Sequence, residues 1–428
     1  MKQIQTQPVR GMRDILPQQK RLREEAFAKI LHAYRQFGFS QIETPALENL
    51  DALLRSNAGD NTKLIFAIMK RGNALEKAIE TGDAKALADL GLRFDLTLPL
   101  ARYYAQNRSK LPRVFKSIQV GNVWRAERPQ KGRYRQFYQC DIDVIGNASI
   151  LAEIELLAAT ARALMDLGFV DFTIRVNDRR ILSALTKACH LPDHLSDAIF
   201  IILDKLDKIG LDKMKQELMA LELKEASVDA LLTIITSDTA MGTSRILSEH
   251  LVSLEPFIAP EIIPALEVMI HEVNASSDGK FQCIFDPTLV RGLGYYTGTI
   301  FEITYKDYPS SIAGGGRYDN MISNLVNVNV PACGMSIGFD RMMNIVEEEE
   351  LLPLTGESAT ALIYDKQVEL SRIMSVANEL RGQGEMITLY QREKNFAKQL
   401  TDLATNGMAE YYALNERGEL SPLRSMRG

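Results

Sequence analysis

Residues 137–144, FYQCDIDV, alternate in chemical character with a period of two. In a strand that spacing sends Phe137, Gln139, Asp141 and Asp143 to one face and Tyr138, Cys140, Ile142 and Val144 to the other. The second set reads as core. The first carries a ring, an amide and two acids, which suits a binding surface better than a packed one. Strand texture also runs through LPRVFKSIQVGNVWR, residues 111–125. The two segments predict an antiparallel hairpin, so the chain must fold around a sheet that offers polar side chains on one face.

The loop of that hairpin is basic. The stretch WRAERPQKGRYRQF sets Arg125, Arg128, Lys131, Arg133 and Arg135 against one acid, Glu127. The whole chain has a net charge of −5, so this is a local concentration and not a general coating for nucleic acid. Such a loop is often just solvated surface. Here arginine outnumbers lysine, its planar fork suits bidentate contact with phosphate or carboxylate, and Arg125 is held at a strand end. Arg291 in LVRGLGYYTG and Arg341 in GMSIGFDRMM lie in apolar or glycine-rich settings, with Arg341 in the first turn of a helix. Each alone reads as a structural ion pair; together with Arg125 they could neutralise a polyphosphate.

Other routes to phosphate binding are missing. No GxxxxGK[ST] is present, and GLGYYTG has tyrosines in its turn with no helix signal after it. Gly314–Gly316 predict a tight turn or a close backbone approach. Of the five histidines, His32 falls in the first helix and His190, His194, His250 and His271 in or near a helical segment; none falls on the polar-faced strands. No Ser/His/Asp or Cys/His arrangement stands out, and the four cysteines lack CxxC spacing, which predicts buried thiols. Chemistry here would rest on positioning and charge stabilisation more than on proton transfer. The N-terminus has no apolar signal region and no run approaches the ~20 apolar residues of a membrane span, so a reducing cytoplasm is expected.

At 428 residues, 46% hydrophobic and 25% charged, the chain predicts two or three globular domains. Leu22, Ala26, Ile30, Ala33 and Phe37 predict a helix over 17–37 that stops at Gly38. FSQIETP predicts a short strand. Residues 70–90 predict a solvated helical excursion, and GLRFDLTLPLARYYAQN a strand entering a helix. From about 178 to 276 the sequence is rich in helix formers and reads as an inserted domain. Strands return at FQCIFDPTLVRGLGYYTGTIFEITY, and PACGMSIGFDRMMNIV predicts a strand running into a helix. The acidic run at 347–350 with Pro353 and Gly356 predicts a linker, followed by a small α/β domain.

RAERPQKGRYRQFYQCDIDVIG resembles the second signature motif of class II aminoacyl-tRNA synthetases, in the form found in the histidyl-tRNA synthetase family. LVRGLGYYTGTIFE and AGGGRYD resemble that family's two histidine-specific motifs, GMSIGFDRMM the third class II motif and FSQIETPALE the first. LRFDLTLPLARY and LDKLDKIG also look like family segments. The similarity runs from about residue 8 to 350 and more weakly through the tail, with the motifs in family order.

The resemblance implies an α+β fold: a class II synthetase-type antiparallel sheet flanked by helices, with a helical insertion domain and a small C-terminal α/β domain. Its boundaries would be 1–176 and 277–350 for the catalytic core, 177–276 for the insertion, and 357–428 for a short anticodon-binding-like domain. It implies two steps. Histidine attacks the α-phosphate of ATP, with Mg2+ as companion ion, and the histidyl group then passes to tRNA(His). Arg125, Arg291 and Arg341 would be catalytic. Arg125 would hold the α-phosphate, Arg341 and Arg133 the γ end, and Arg291 would sit beside the reacting carboxylate, where related synthetases place magnesium. Phe137 would stack under adenine and Glu127 bond its edge. Asp95, Thr97, Gln139, Arg125 and Arg291 would fix the ammonium and carboxylate of histidine, and Asp143 and Tyr296 would hydrogen-bond its imidazole; Tyr295 also counts among the histidine-binding residues, although alternation sends it to the face opposite Tyr296. Arg128 and Gln130 would meet the tRNA acceptor end. No protein metal site is implied; a homodimer is. The chain departs from the pattern at Gly294, where an acid is usual, and after Gln391, where the tail is short. The competing expectation is a synthetase-like, histidine-sensing regulatory subunit of ATP phosphoribosyltransferase. A third is a synthetase acting on a histidine-like molecule or a non-tRNA acceptor.

Overall fold

In a computed structural model, the structure describes residues 6–55, 64–129, 132–203, 205–236, 251–291, 296–353 and 359–426. The chain divides into two compact units, Met1–Asp14 with Arg23–Leu352, and Ile15–Leu22 with Pro353–Gly428.

The first helix spans Pro17–Gln36 and ends at Gly38, whose φ of 79° is open to glycine at no steric cost. It buries Ala26, Ile30 and Ala33, as its spacing predicts, and also Arg23 and Tyr34. Four short strands follow: β1 (Ser40–Gln41), β2 (Leu47–Asn49), β3 (Ala67–Met69) and β4 (Ala88–Leu92). The last three form a small sheet in the order β2-β4-β3. The helical reading of 70–90 holds only in part. A helix covers Asn73–Glu80, but Ala88–Leu90 already belong to β4, because pairing with β2 and β3 overrides the helix preference of ALADL.

The principal sheet has eight strands. It is built on the expected hairpin of β5 (Phe115–Trp124) and β6 (Gln136–Ile145), in register from Phe115 opposite Ile145 to Trp124 opposite Gln136. It is completed by β7 (Phe172–Asp178), β8 (Phe281–Phe285), β9 (Thr299–Tyr305), β10 (Ala313–Arg317) and β11 (Ala332–Gly338). The order is β1-β5-β6-β11-β10-β9-β7-β8. The six central strands run antiparallel, while β1 pairs with β5 and β8 with β7 in parallel. The antiparallel sheet of the sequence reading therefore carries one parallel strand at each edge.

Helices flank this sheet. Leu151–Asp166 buries Leu156, Leu157, Ala161 and Leu164. Its Glu153 meets Arg317 of β10 through two 2.7 Å contacts and accepts a hydrogen bond from Thr299 of β9 at 2.9 Å, a satisfied buried ion pair under the sheet. Helices Thr97–Asn107 and Asp319–Val326 share a core cluster containing Leu100, Tyr104, Phe115, Ile145, Tyr318 and Ile322. Among the described residues, 179–275 form helices and no strand.

The second unit has its own sheet, with β12 (Thr360–Tyr364) parallel to β13 (Ile387–Gln391) and to β14 (Glu410–Leu414), and β15 (Arg424–Ser425) antiparallel to β14. Helices Leu370–Gly382 and Phe396–Thr405 accompany it. Two core clusters, one around Leu362, Val376 and Leu380 and one around Ile363, Leu403 and Tyr411, give it an interior of its own.

Candidate active site

The polar face of β6 is the floor of a cleft. Gln139, Asp141 and Asp143 lie side by side on it. Asp95 and Thr97 enter from the start of the helix Thr97–Asn107, and Arg125 from the end of β5. Across the floor run Gly314 and Gly315 of β10 and Gly334 and Ser336 of β11. The helix Phe339–Glu348 brings Asp340 and Arg341 in its first turn.

Gly314 and Gly316 keep the cleft side of β10 low, and Gly315 between them faces the other side of the sheet. A Cβ on Gly314 would run into the Arg291 guanidinium. One on Gly315 would meet Met335 Cα and Phe301 Cε2 at 2.8 Å, and one on Gly316 the Tyr296 ring at 2.9 Å. They are a close backbone approach within a strand, one of the two readings their spacing allowed.

One half of the cleft is cationic. Arg341 donates to the Ser311 carbonyl at 3.1 Å. Burial lowers its pKa first, and the positive charges of Arg133, Arg125 and Arg291 lower it further. Four guanidinium groups therefore crowd one another, which is the electrostatic condition for holding a polyanion. Arg125 donates from Nε to the Phe94 carbonyl at 3.0 Å, and its guanidinium lies 5.0 Å from the Phe137 ring centre. Arg133 pairs with Glu127 at 3.3 Å. Arg291 is paired with Glu302 of β9.

The other half is acidic and buried. Burial pushes Asp95 up, against a 3.1 Å hydrogen bond from the Leu98 amide and the charge of Arg125. Burial and then the charge of Asp143 push Asp141 well above the carboxylate range. Asp143 is pushed up to about 7, chiefly by burial, although Tyr318 donates its hydroxyl to Oδ1 at 2.5 Å. Arg125 stands at the junction: its charge reaches Asp95 and Asp141 on one side and Arg341 on the other.

A framework holds the rim. Asp340 accepts from Arg13 Nη2 at 2.7 Å and from the Tyr138 amide at 2.7 Å, and pairs with Arg23 at 3.0 Å. Arg13 also donates to the Tyr134 hydroxyl at 3.1 Å and sits 4.2 Å from that ring. The Arg135 amide donates to the Gly11 carbonyl at 2.7 Å, so residues 11–13 brace the basic loop.

The structure thus brings together Asp95, Thr97, Arg125, Glu127, Arg133, Phe137, Gln139, Asp143, Arg291, Tyr296 and Arg341 on one cleft. Arg128 is exposed and is not part of its wall. Tyr295, Gly294 and Gln130 lie outside the described residues. Sequence reasoning gave no role to Asp141, Tyr318, Glu302 or Asp340. Asp141 was visible in the period-two face, and Tyr318 in the motif AGGGRYD. The partners of Arg13 and Arg291 are contacts between segments and left no local signal.

Fold and site define a class of protein: a sheet-borne cleft that sets arginines for an anion beside buried carboxylates for a cation, with no P-loop. A family profile described as histidyl-tRNA synthetase matches residues 11–342. A histidine–tRNA ligase of Leifsonia xyli subsp. xyli is 44% identical over 94% of each chain. A crystal structure of histidyl-tRNA synthetase from Nostoc sp. PCC 7120 superposes with a TM-score of 0.78 at 26% identity, covering 99% of this chain and 97% of that one. A structure titled ATP phosphoribosyltransferase regulatory subunit/histidyl-tRNA synthetase, from Bacillus halodurans C, shares the fold with a TM-score of 0.74 at 20% identity, over 96% of this chain and 98% of that one. The chain belongs to the histidyl-tRNA synthetase family.

Proposed function

We propose that this chain joins L-histidine to tRNA(His) at the cost of ATP, through a histidyl-adenylate. The observation that carries the reading is the two-sided cleft with Arg125 at its junction. An amino acid whose ammonium and imidazole face the carboxylates places its own carboxylate at Arg125. A triphosphate lying on the arginines presents its α-phosphorus at the same point. Attack is then an in-line displacement whose developing charge meets guanidinium groups already in place.

In this reading Arg125 and Arg291 flank the reacting carboxylate and α-phosphate, and Arg341 and Arg133 take the γ end. Phe137 and Glu127 receive adenine. Asp95, Thr97 and Gln139 hold the amino-acid backbone groups, and Asp143 and Tyr296 the imidazole. Amino acids without a matching side chain would leave these buried polar groups unpaired, which supplies the selectivity. Mg2+ would enter as the counter-ion of the triphosphate. Among the described residues there is no group of three or more His, Cys, Asp or Glu that could hold a metal.

The basic loop, with Arg128 exposed on it, would receive the tRNA acceptor end. Residues 177–276 would act as an insertion and the unit after residue 357 as an anticodon-binding domain. The protein would work as a cytoplasmic homodimer; among the described residues no helix is long and apolar enough to cross a membrane. Pyrophosphate exchange with each amino acid in turn tests the reading. Exchange with histidine alone is expected, followed by charging of tRNA(His). No exchange with histidine overturns it in favour of a regulatory binding protein, and exchange without charging points to another acceptor.

A further inference from the structure

Three acceptor atoms in the acidic half have no hydrogen-bond partner among the described residues: Gln139 Oε1, Asp141 Oδ1 and Asp143 Oδ2. They belong to alternate residues of one strand face, and all three side chains line the cleft. Asp141 is 3% exposed. A buried acceptor without a donor is costly, so a row of three at the floor of a cleft marks where a multivalent donor belongs. The protein meets the row only in part. Tyr318 donates to the other oxygen of Asp143 and Ser336 hydrogen-bonds Asp141, while the Gln139 amide itself donates to Ser336 Oγ at 2.9 Å. No arginine or lysine pairs with these acids among the described residues, although Arg125 lies near enough to act on Asp141 by its charge.

We infer that Asp141 is a further substrate-binding residue: its bare carboxylate oxygen accepts an N–H of the substrate α-ammonium, between Gln139 and Asp143. This rests on the reading that the cleft takes histidine. An ammonium carries three N–H donors, and Asp95 across the cleft is already engaged by the Leu98 amide. The imidazole donates one N–H and is met by Asp143. The third acid thus answers the charge of the amino group. It also explains why a cleft that recognises a single ring carries three carboxylates, Asp141 and Asp143 on β6 and Asp95 beside them: one positive charge of the ligand must compensate a cluster that cannot ionise fully by itself.

The experiment compares two ligands on the full-length protein. L-histidine carries the ammonium; 3-(imidazol-4-yl)propionate lacks it and keeps the ring and carboxylate. Asp141→Asn should lower kcat/KM for histidine in pyrophosphate exchange by about 10- to 100-fold, the loss expected when a buried charged acceptor is removed. The inhibition constant of the propionate should change less than about threefold, and KM for ATP should stay constant, since neither contact involves an ammonium. Equal weakening of both ligands would mean that Asp141 only shapes the cleft, and no change in either would mean that it touches no ligand; each outcome overturns the inference. Should Asp141→Asn fail to fold, Asp141→Ser is read in the same way. Wild-type exchange with histidine is the control for the proposed activity. Its absence would sink that activity, whereas normal wild-type exchange with an unchanged ratio of the two ligands would sink only the role of Asp141.

Discussion

Arg291 is held from two sides at the residue scale. Glu302 takes its charge, and the bare backbone of Gly314 leaves it room. Replacing it by histidine removes a permanent cation from the proposed reacting point without emptying a core. Arg291→His should therefore cut pyrophosphate exchange by about 100- to 1,000-fold while the thermal transition stays in place. A loss under tenfold would assign the charge to another arginine. Asp143 makes a second prediction, about pH. Its folded pKa, about 7, lies above the ordinary 3.8, so the folded protein keeps this proton to higher pH than the unfolded chain does. The stability it contributes is complete below the unfolded value and is lost as pH rises toward about 7. Asp143→Asn cannot titrate. Melting temperatures measured between about pH 4 and pH 8 should therefore fall more for the wild type than for this variant. Parallel curves would show that Asp143 does not titrate there.

At the scale of elements, β10 is the most constrained strand. It lies between β9 and β11 with glycine at three consecutive positions. Gly315→Ala would press a methyl onto the Gly334 carbonyl, Met335 and Phe301, and should lower stability by about 3 kcal/mol or more, measured by denaturant unfolding. Gly338→Ala meets only the Ile312 carbonyl at 3.5 Å and should leave the unfolding midpoint nearly unchanged. Equal effects would show that β11 and β9 yield. The same scale explains what the sequence could tell. The β5–β6 hairpin was legible because period two separates Tyr138, Ile142 and Val144 from Gln139, Asp141 and Asp143 over a full strand. Strand β4 was misread at its start because ALADL favours helix locally and only its neighbours make it extended. The edge pairing of β1, two residues long, gave too little pattern to read. The bond network of Asp340 joins Arg13, Arg23 and Tyr138, which no local spacing could reveal. The convergence of Arg125, Arg291 and Arg341 was legible only because Arg125 sits at a strand end and Arg291 and Arg341 sit in apolar or glycine-rich settings that a solvated cation avoids.

For the whole molecule, the first unit leaves apolar side chains uncovered around its small sheet. Leu47 is 46% exposed, Met69 58% and Leu54 44%. Such a group suits association of two copies. Light scattering of the dilute protein should return twice the chain mass of 48.0 kDa, and a mass of one chain would refute the homodimer. The cleft floor has another consequence. Along Gly314 and Gly315 it consists of peptide atoms, locked in a ladder on both sides. A compound seated there would touch atoms common to every amino acid. Point changes could reshape the walls around such an inhibitor, but escape through the floor would require breaking the sheet on which the enzyme itself depends.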